Sequence, residues 1–141
     1  MSRTKGLFRH SRMGASAVEF ALTLPTLTTL FAAIMEYGWL FWQQQAVLNA
    51  VRDGVRVGVA TSQVDDPETI AEVRAEDSLE GFGMDCDGTQ DCVTTATLTE
   101  IDDYDYLELQ LRYSYEPLTG GLLPVPDFIQ ASLTWCMEDQ S

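Results

Sequence analysis

Gly14-Ala15-Ser16-Ala17-Val18-Glu19-Phe20 sets a carboxylate five residues beyond a glycine, at the threshold of an apolar run. Two chemistries use that spacing. The first is proteolysis. Gly14 has no side chain, so its backbone can enter a narrow peptidase site. A cut between Gly14 and Ala15 leaves a new amine on Ala15. The second is charge pairing. Glu19 becomes the fifth residue of the cut chain, one helical turn from that amine. Where such helices pack together without water, a lone carboxylate and a lone ammonium are each costly. Pairing Glu19 of one copy with the Ala15 amine of a neighbour offsets both and fixes register. An uncut chain with Glu19 at a membrane interface fits the same residues, and the spacing alone does not separate the two.

Other reactive side chains are few. Cys86 and Cys92 have five residues between them, and a short bridge would close an Asp-rich loop. Cys136 is then left over, either free or in place of one partner. The same loop reads Asp85-x-Asp87-Gly88-x-x-Asp91, in which alternating carboxylates and a glycine bend could wrap calcium. No glutamate closes it at the twelfth position, so a solvated turn fits equally, and no metal is assigned. The single histidine, His10, and the single lysine, Lys5, both precede Gly14. Beyond it no imidazole or ammonium side chain remains for the commonest base and Schiff-base roles, nor any histidine for a zinc site. The chain therefore reads as a non-enzyme with no cofactor.

The elements that position these residues follow from periodicity. Phe20 to Met35 holds no charge, and the apolar run continues past Glu36 to Trp42. Roughly 20 apolar residues span a bilayer as a helix, a length reached between Phe20 and Trp39. Tyr37, Trp39 and Trp42 stand where an interfacial aromatic belt belongs. Pro25 should kink the first turns, with Thr23, Thr26, Thr28 and Thr29 placed to back-bond to freed carbonyls. Val47, Val51 and Val55 continue an i, i+4 row. One long helix is expected over about Ala17–Val57. Gly54 and Gly58 near its end fit either close packing or fraying.

A second helix starts at Pro67, capped by Asp66 or by a box of Asp65 with Glu68, and ends near Glu80 before Gly81 and Gly83. From Val93 the period becomes two. Val93–Ile101 reads as a strand. Leu107, Leu109, Leu111, Tyr113 and Tyr115 share one face of the next. Ile129, Ala131, Leu133, Trp135 and Met137 alternate in a last one. Residues 117–127 form a Gly/Pro loop. The expected fold is α+β: a long N-terminal hydrophobic helix, then a small domain with one helix on a three-stranded antiparallel sheet. The divisions are a leader at 1–14, a membrane and stalk helix at 15–60, and a small acidic domain at 61–141.

Charge orients this arrangement. The 141 residues carry a formal −14. Arg3, Lys5, Arg9 and Arg12 lie before Ala15 with no acid, which leaves four basic groups against all 22 acids beyond it. Basic heads stay on the cytoplasmic side, so the acidic domain is expected outside the membrane. Its charge repels phosphates and excludes nucleic acid as a partner. A secretory signal places its small-residue cut after the apolar stretch; here Gly14-Ala15 precedes it, and cutting would leave the helix attached.

Gly14-Ala-Ser-Ala-Val-Glu-Phe-Ala-Leu resembles the processing site of TadE-like minor pilins, the pseudopilins of tight-adherence (Tad/Flp, type IVc) pilus systems. Asn49-Ala-Val-Arg-Asp-Gly-Val-Arg is similar to that family's Asn-Ala-Ala-Arg-Glu-Gly-Ala-Arg block, with Asp53 for the commoner glutamate. Tyr113-Ser-Tyr-Glu-Pro-Leu and Ala131-Ser-Leu-Thr-Trp-Cys-Met-Glu resemble its closing strands. The likeness covers 12–60 and 105–138; residues 61–104 match no pattern. It implies cleavage after Gly14 by an aspartic prepilin peptidase, and a single-pass product in a bacterial inner membrane with its C-terminal domain periplasmic. It further implies use as a low-abundance pilus subunit or priming factor for surface adhesion. The implied partners are that peptidase, other pilin and pseudopilin subunits, and the inner-membrane assembly platform. The alternative is an uncleaved signal-anchored protein whose acidic domain binds an extracytoplasmic partner.

Overall fold

A computed structural model describes residues 7–61, 65–86, 91–102 and 104–137. The elements in order are α1 (Leu7–Val59), α2 (Pro67–Gly81), β1 (Cys92–Ile101), β2 (Tyr104–Ser114) and β3 (Phe128–Cys136). The architecture is the expected one, a long hydrophobic helix followed by a helix and a three-stranded antiparallel sheet. The chain divides into two compact units, Met1–Gly38 and Trp39–Ser141.

Within the first unit, α1 begins at Leu7 and not near Ala17. Its opening residues are mostly good helix formers. Gly14 alone costs only about 1 kcal/mol in a helix interior, too little to end it. Pro25 lies inside the helix without terminating it. Proline removes the donor for the carbonyl four residues back, which is that of Ala21. The threonine hydroxyls go elsewhere. Thr23 donates to the Phe20 carbonyl at 3.1 Å, Thr28 to Leu24 at 2.8 Å and Thr29 to Pro25 at 2.9 Å. These bonds keep the hydroxyls satisfied on an apolar helix.

The second unit is built on an antiparallel sheet of order β1-β2-β3. Register brings Leu98, Leu107 and Trp135 into one row and Ala96, Leu109 and Leu133 into the next. β1 and β2 join through Asp102-Asp103. Asp102 adopts a left-handed φ of 53°, the conformation a two-residue hairpin loop needs. Leu107, Leu109 and Leu111 are buried with Val47, Val51 and Val55 of α1 and with Ala71, Ala75 and Leu79 of α2. The valine row thus buries its stripe as its spacing requires.

Gly54 and Gly58 make the closest approach in this core. A Cβ on Gly54 would lie 2.6 Å from the Ala71 carbonyl oxygen and 2.7 Å from Leu109 Cδ2. One on Gly58 would overlap Leu107 Cδ2 and lie 2.8 Å from Ala71 Cβ. Of the two readings of this pair, close packing holds. The helix continues through both glycines, and their missing side chains let α2 and the sheet reach the α1 backbone.

α2 is capped by Asp66, whose carboxylate accepts from the Thr69 N–H at 3.4 Å and the Thr69 hydroxyl at 2.9 Å. Glu68 forms no capping box. It crosses to the sheet and accepts the Leu98 N–H at 2.7 Å, while Glu72 one turn later accepts the Ala96 N–H at 2.7 Å. β1 is an edge strand, and its outward N–H groups need acceptors. Two carboxylates spaced i, i+4 supply them. Glu72→Ala should lower stability by about 1–2 kcal/mol, since a hydrogen bond to a charged acceptor is lost. Glu72→Gln keeps an acceptor and should lose less. Thermal unfolding of the full chain in detergent, followed by near-UV circular dichroism, measures both. Equal melting of Glu72→Ala and the parent would remove this role.

Candidate functional site

Gly14, Ala15 and Glu19 lie on consecutive turns of α1, and all three are exposed. An added Cβ at Gly14 meets nothing within 4 Å. Any demand for glycine there arises outside the fold of this chain. At about 1.5 Å per residue, Glu19 stands about 6 Å along the axis from Ala15, with no ion pair among the described residues. The carboxylate is therefore open to another chain. The Gly14–Ala15 bond sits inside a continuous helix, so a peptidase cutting there would first have to unwind it locally. Residues 1–6 of the expected leader lie outside the described residues.

Beyond Glu19 the helix carries exposed apolar side chains on every side, among them Phe20, Leu22, Leu27, Phe31, Ile34 and Met35. Among the described residues this is the one helix long and apolar enough to cross a membrane. A helix apolar all round needs lipid or other chains to cover it. Two polar side chains on α1 are buried, Glu36 and Gln43.

Cys86 and Cys92 are joined by a disulfide with Cα atoms 5.3 Å apart, and Cys136 is free. The bridge ties the segment after α2 to the first residue of β1. Asp85 and Asp91 flank it. Asp87, the third residue of the calcium pattern, lies outside the described residues. Among those described, no three His, Cys, Asp or Glu side chains converge as a metal site requires. Asp85 and Asp91 do act together on Tyr113. Burial raises its phenol above the usual tyrosine value, and the two carboxylates raise it further. A negative potential thus lies over this end of β2.

Two grooves open on the second unit that the sequence did not reveal. One, of about 720 Å³, is lined by Trp39 and Gln43 of α1, by Asp91 and Tyr113, and by Glu116 and Pro117 just past β2. The other, of about 790 Å³, is lined by Asn49, Arg52 and Arg56 of α1 beside Leu133 and Trp135 of β3. It therefore joins the Asn49–Arg56 block to the closing strand. Trp135 alternates onto the inner face, yet it is 55% exposed. It borders the groove beside Val59 and Phe82, where both helices end. A register table would have found the second groove's sheet side; its α1 side needed the helix docked.

Comparison with curated proteins finds no match, and neither does comparison with solved structures. A family model does match. From Gly14, the residue at the expected cut, through Arg56, the last basic residue bordering the second groove, the chain matches the family described as TadE-like protein.

Proposed function

We propose that this chain is a minor pilin-like subunit of a tight-adherence pilus, cut between Gly14 and Ala15 by a prepilin peptidase and then assembled through its N-terminal helix. The observation that carries the reading is the TadE-like match over residues 14–56, which opens at the glycine singled out by chemistry. The apolar, uncovered helix after it supports the reading, since such a surface requires lipid in the membrane and neighbouring helices in a filament. In this account residues 1–14 are the leader, 15–60 the membrane and stalk helix, and 61–141 the extracytoplasmic acidic domain. The Ala15 amine pairs with Glu19 of a neighbouring subunit. Other pilins, pseudopilins and the inner-membrane assembly platform are the partners, and the −14 chain with its basic head sits N-terminus inward.

A second reading, an uncleaved signal-anchored protein, draws on the continuity of α1 through Gly14-Ala15. N-terminal sequencing of the membrane-extracted protein separates the two. The expected result is a chain starting at Ala15. A chain starting at Met1 would favour the anchor. Protease added to spheroplasts should also remove the region beyond residue 60. Full protection with the inner membrane sealed would overturn the orientation.

A further inference from the structure

The two grooves differ in charge, since the second holds Arg52 and Arg56 with Asp53 as its one acid. The groove at Gln43 offers acceptors. The Gln43 side chain is 7% exposed, and its Oε1 has no partner among the described residues. A buried unsatisfied carbonyl oxygen calls for a donor. Asp91 and Glu116 add carboxylates beside it, and the Trp39 ring lines the same wall. Tyr113, on which Asp91 acts, lines the same groove. An aromatic ring with carboxylates and an amide oxygen is the environment a guanidinium fits.

The chain itself carries the complement. Four arginines lie beyond the leader. Arg74 pairs with Asp53 at 3.5 Å, and Arg112 lies over the Phe128 ring at 3.6 Å. Arg52 and Arg56 are exposed and make no ion pair among the described residues. Both border the second groove.

Placement rules out one chain satisfying itself. Arg52 follows Gln43 by nine residues, which at 3.6 residues per turn is roughly half a turn round α1 and about 13 Å along it. The sheet agrees. The arginine groove touches Trp135, paired with Leu107, while the acceptor groove touches Tyr113 six residues further along β2. That separation is about 20 Å at 3.3 Å per residue. Donors and acceptors therefore lie toward opposite ends of the sheet and on opposite sides of α1. Complementary patches so separated let the arginines of one copy meet the acceptors of another.

We infer that Arg52 and Arg56 of one copy dock into the groove formed by Gln43, Asp91 and Glu116 of a second copy. The inference rests on the reading of the chain as an assembling subunit and names the second contact of that assembly, outside the membrane helix.

Native mass spectrometry of the full processed chain in detergent tests it. The parent should give complexes of two and more copies that weaken as salt is raised. Arg52→Glu with Arg56→Glu should leave single copies. So should Asp91→Arg with Glu116→Arg. Mixed in equal amounts, the two variants should associate although neither does so alone, since the intact groove of the first meets the intact arginine pair of the second. The milder Arg52→Gln with Arg56→Gln should also lose association without adding acid to the surface. Parent-like association of either reversed variant overturns the proposal, as does a mixture that stays as single copies. Association that needs added calcium and ignores the arginines assigns the groove to a cation and also overturns it. The N-terminus is read in the same samples. A chain starting at Ala15 that fails the mixing test removes this contact and leaves the pilin reading standing.

Discussion

Gly58→Val should unfold the second unit at temperatures where the parent is folded. The position is helical and not strained, so the cost is purely one of space. Even a Cβ there overlaps Leu107 Cδ2 and presses on Ala71 Cβ at 2.8 Å and the Pro67 carbonyl oxygen at 3.2 Å. Leu107 and Ala71 are fully buried, so neither can swing into solvent. Overpacking of a filled core typically costs about 1–3 kcal/mol. Valine adds two methyl groups beyond the Cβ, so about 3 kcal/mol is the expected loss. For a domain of this size each kcal/mol moves Tm by roughly 4–8 °C, and a fall of more than about 10 °C follows. Gly38→Ala supplies the control, because a Cβ there meets nothing within 4 Å. It should hold or slightly raise helix stability. Thermal unfolding by near-UV circular dichroism distinguishes them. If Gly58→Val melts with the parent, the α1 backbone does not approach α2 and the sheet as described.

Glu19→Ala should be cut normally and yet fail to join an assembly. Glu19 stands about 6 Å beyond Ala15 along the helix and is exposed in the single chain, so nothing within the fold depends on it. In the proposed assembly its role begins when helices pack and water leaves. The Ala15 amine is then buried without a partner, at a typical cost of several kcal/mol, enough to exclude the subunit. Gly14→Val should behave oppositely. It meets no neighbour in the fold, so a precursor that stays heavier by the leader reports the peptidase and not misfolding. Immunoblots for size, paired with co-purification of other pilus subunits, read both variants. Normal assembly of cut Glu19→Ala would sink the salt link while leaving the processing site intact.

These two predictions differ in how far the sequence alone could carry them. The 3.6 and 2.0 periods marked both helices and all three strands, because each element buries one face. Asp66 announced a cap through its own chemistry. Gly54 and Gly58 stayed ambiguous, since close packing is a property of two surfaces and the sequence shows one. The start of α1 at Leu7 was missed although nothing from Leu7 to Met13 breaks a helix. Glu68 looked like part of a capping box, and its real acceptor role lies with Leu98, 30 residues away. The grooves at Gln43 and Arg52 escaped for the same reason. Each combines a helix with strands more than 50 positions downstream, and only docking brings them together.

The two carboxylates lying against β1 also limit how this sheet could grow. A strand added there would have to displace Glu68 and Glu72 from the Leu98 and Ala96 N–H groups, bringing its own carbonyls against anionic oxygens. β3, at the other side, has no strand neighbour among the described residues. A sheet open on one side and sealed on the other can pair once, β3 to β3, and then has no free margin left. Cross-β ribbons need two. α2 thus leaves β3 as the one open edge of this sheet among the described residues.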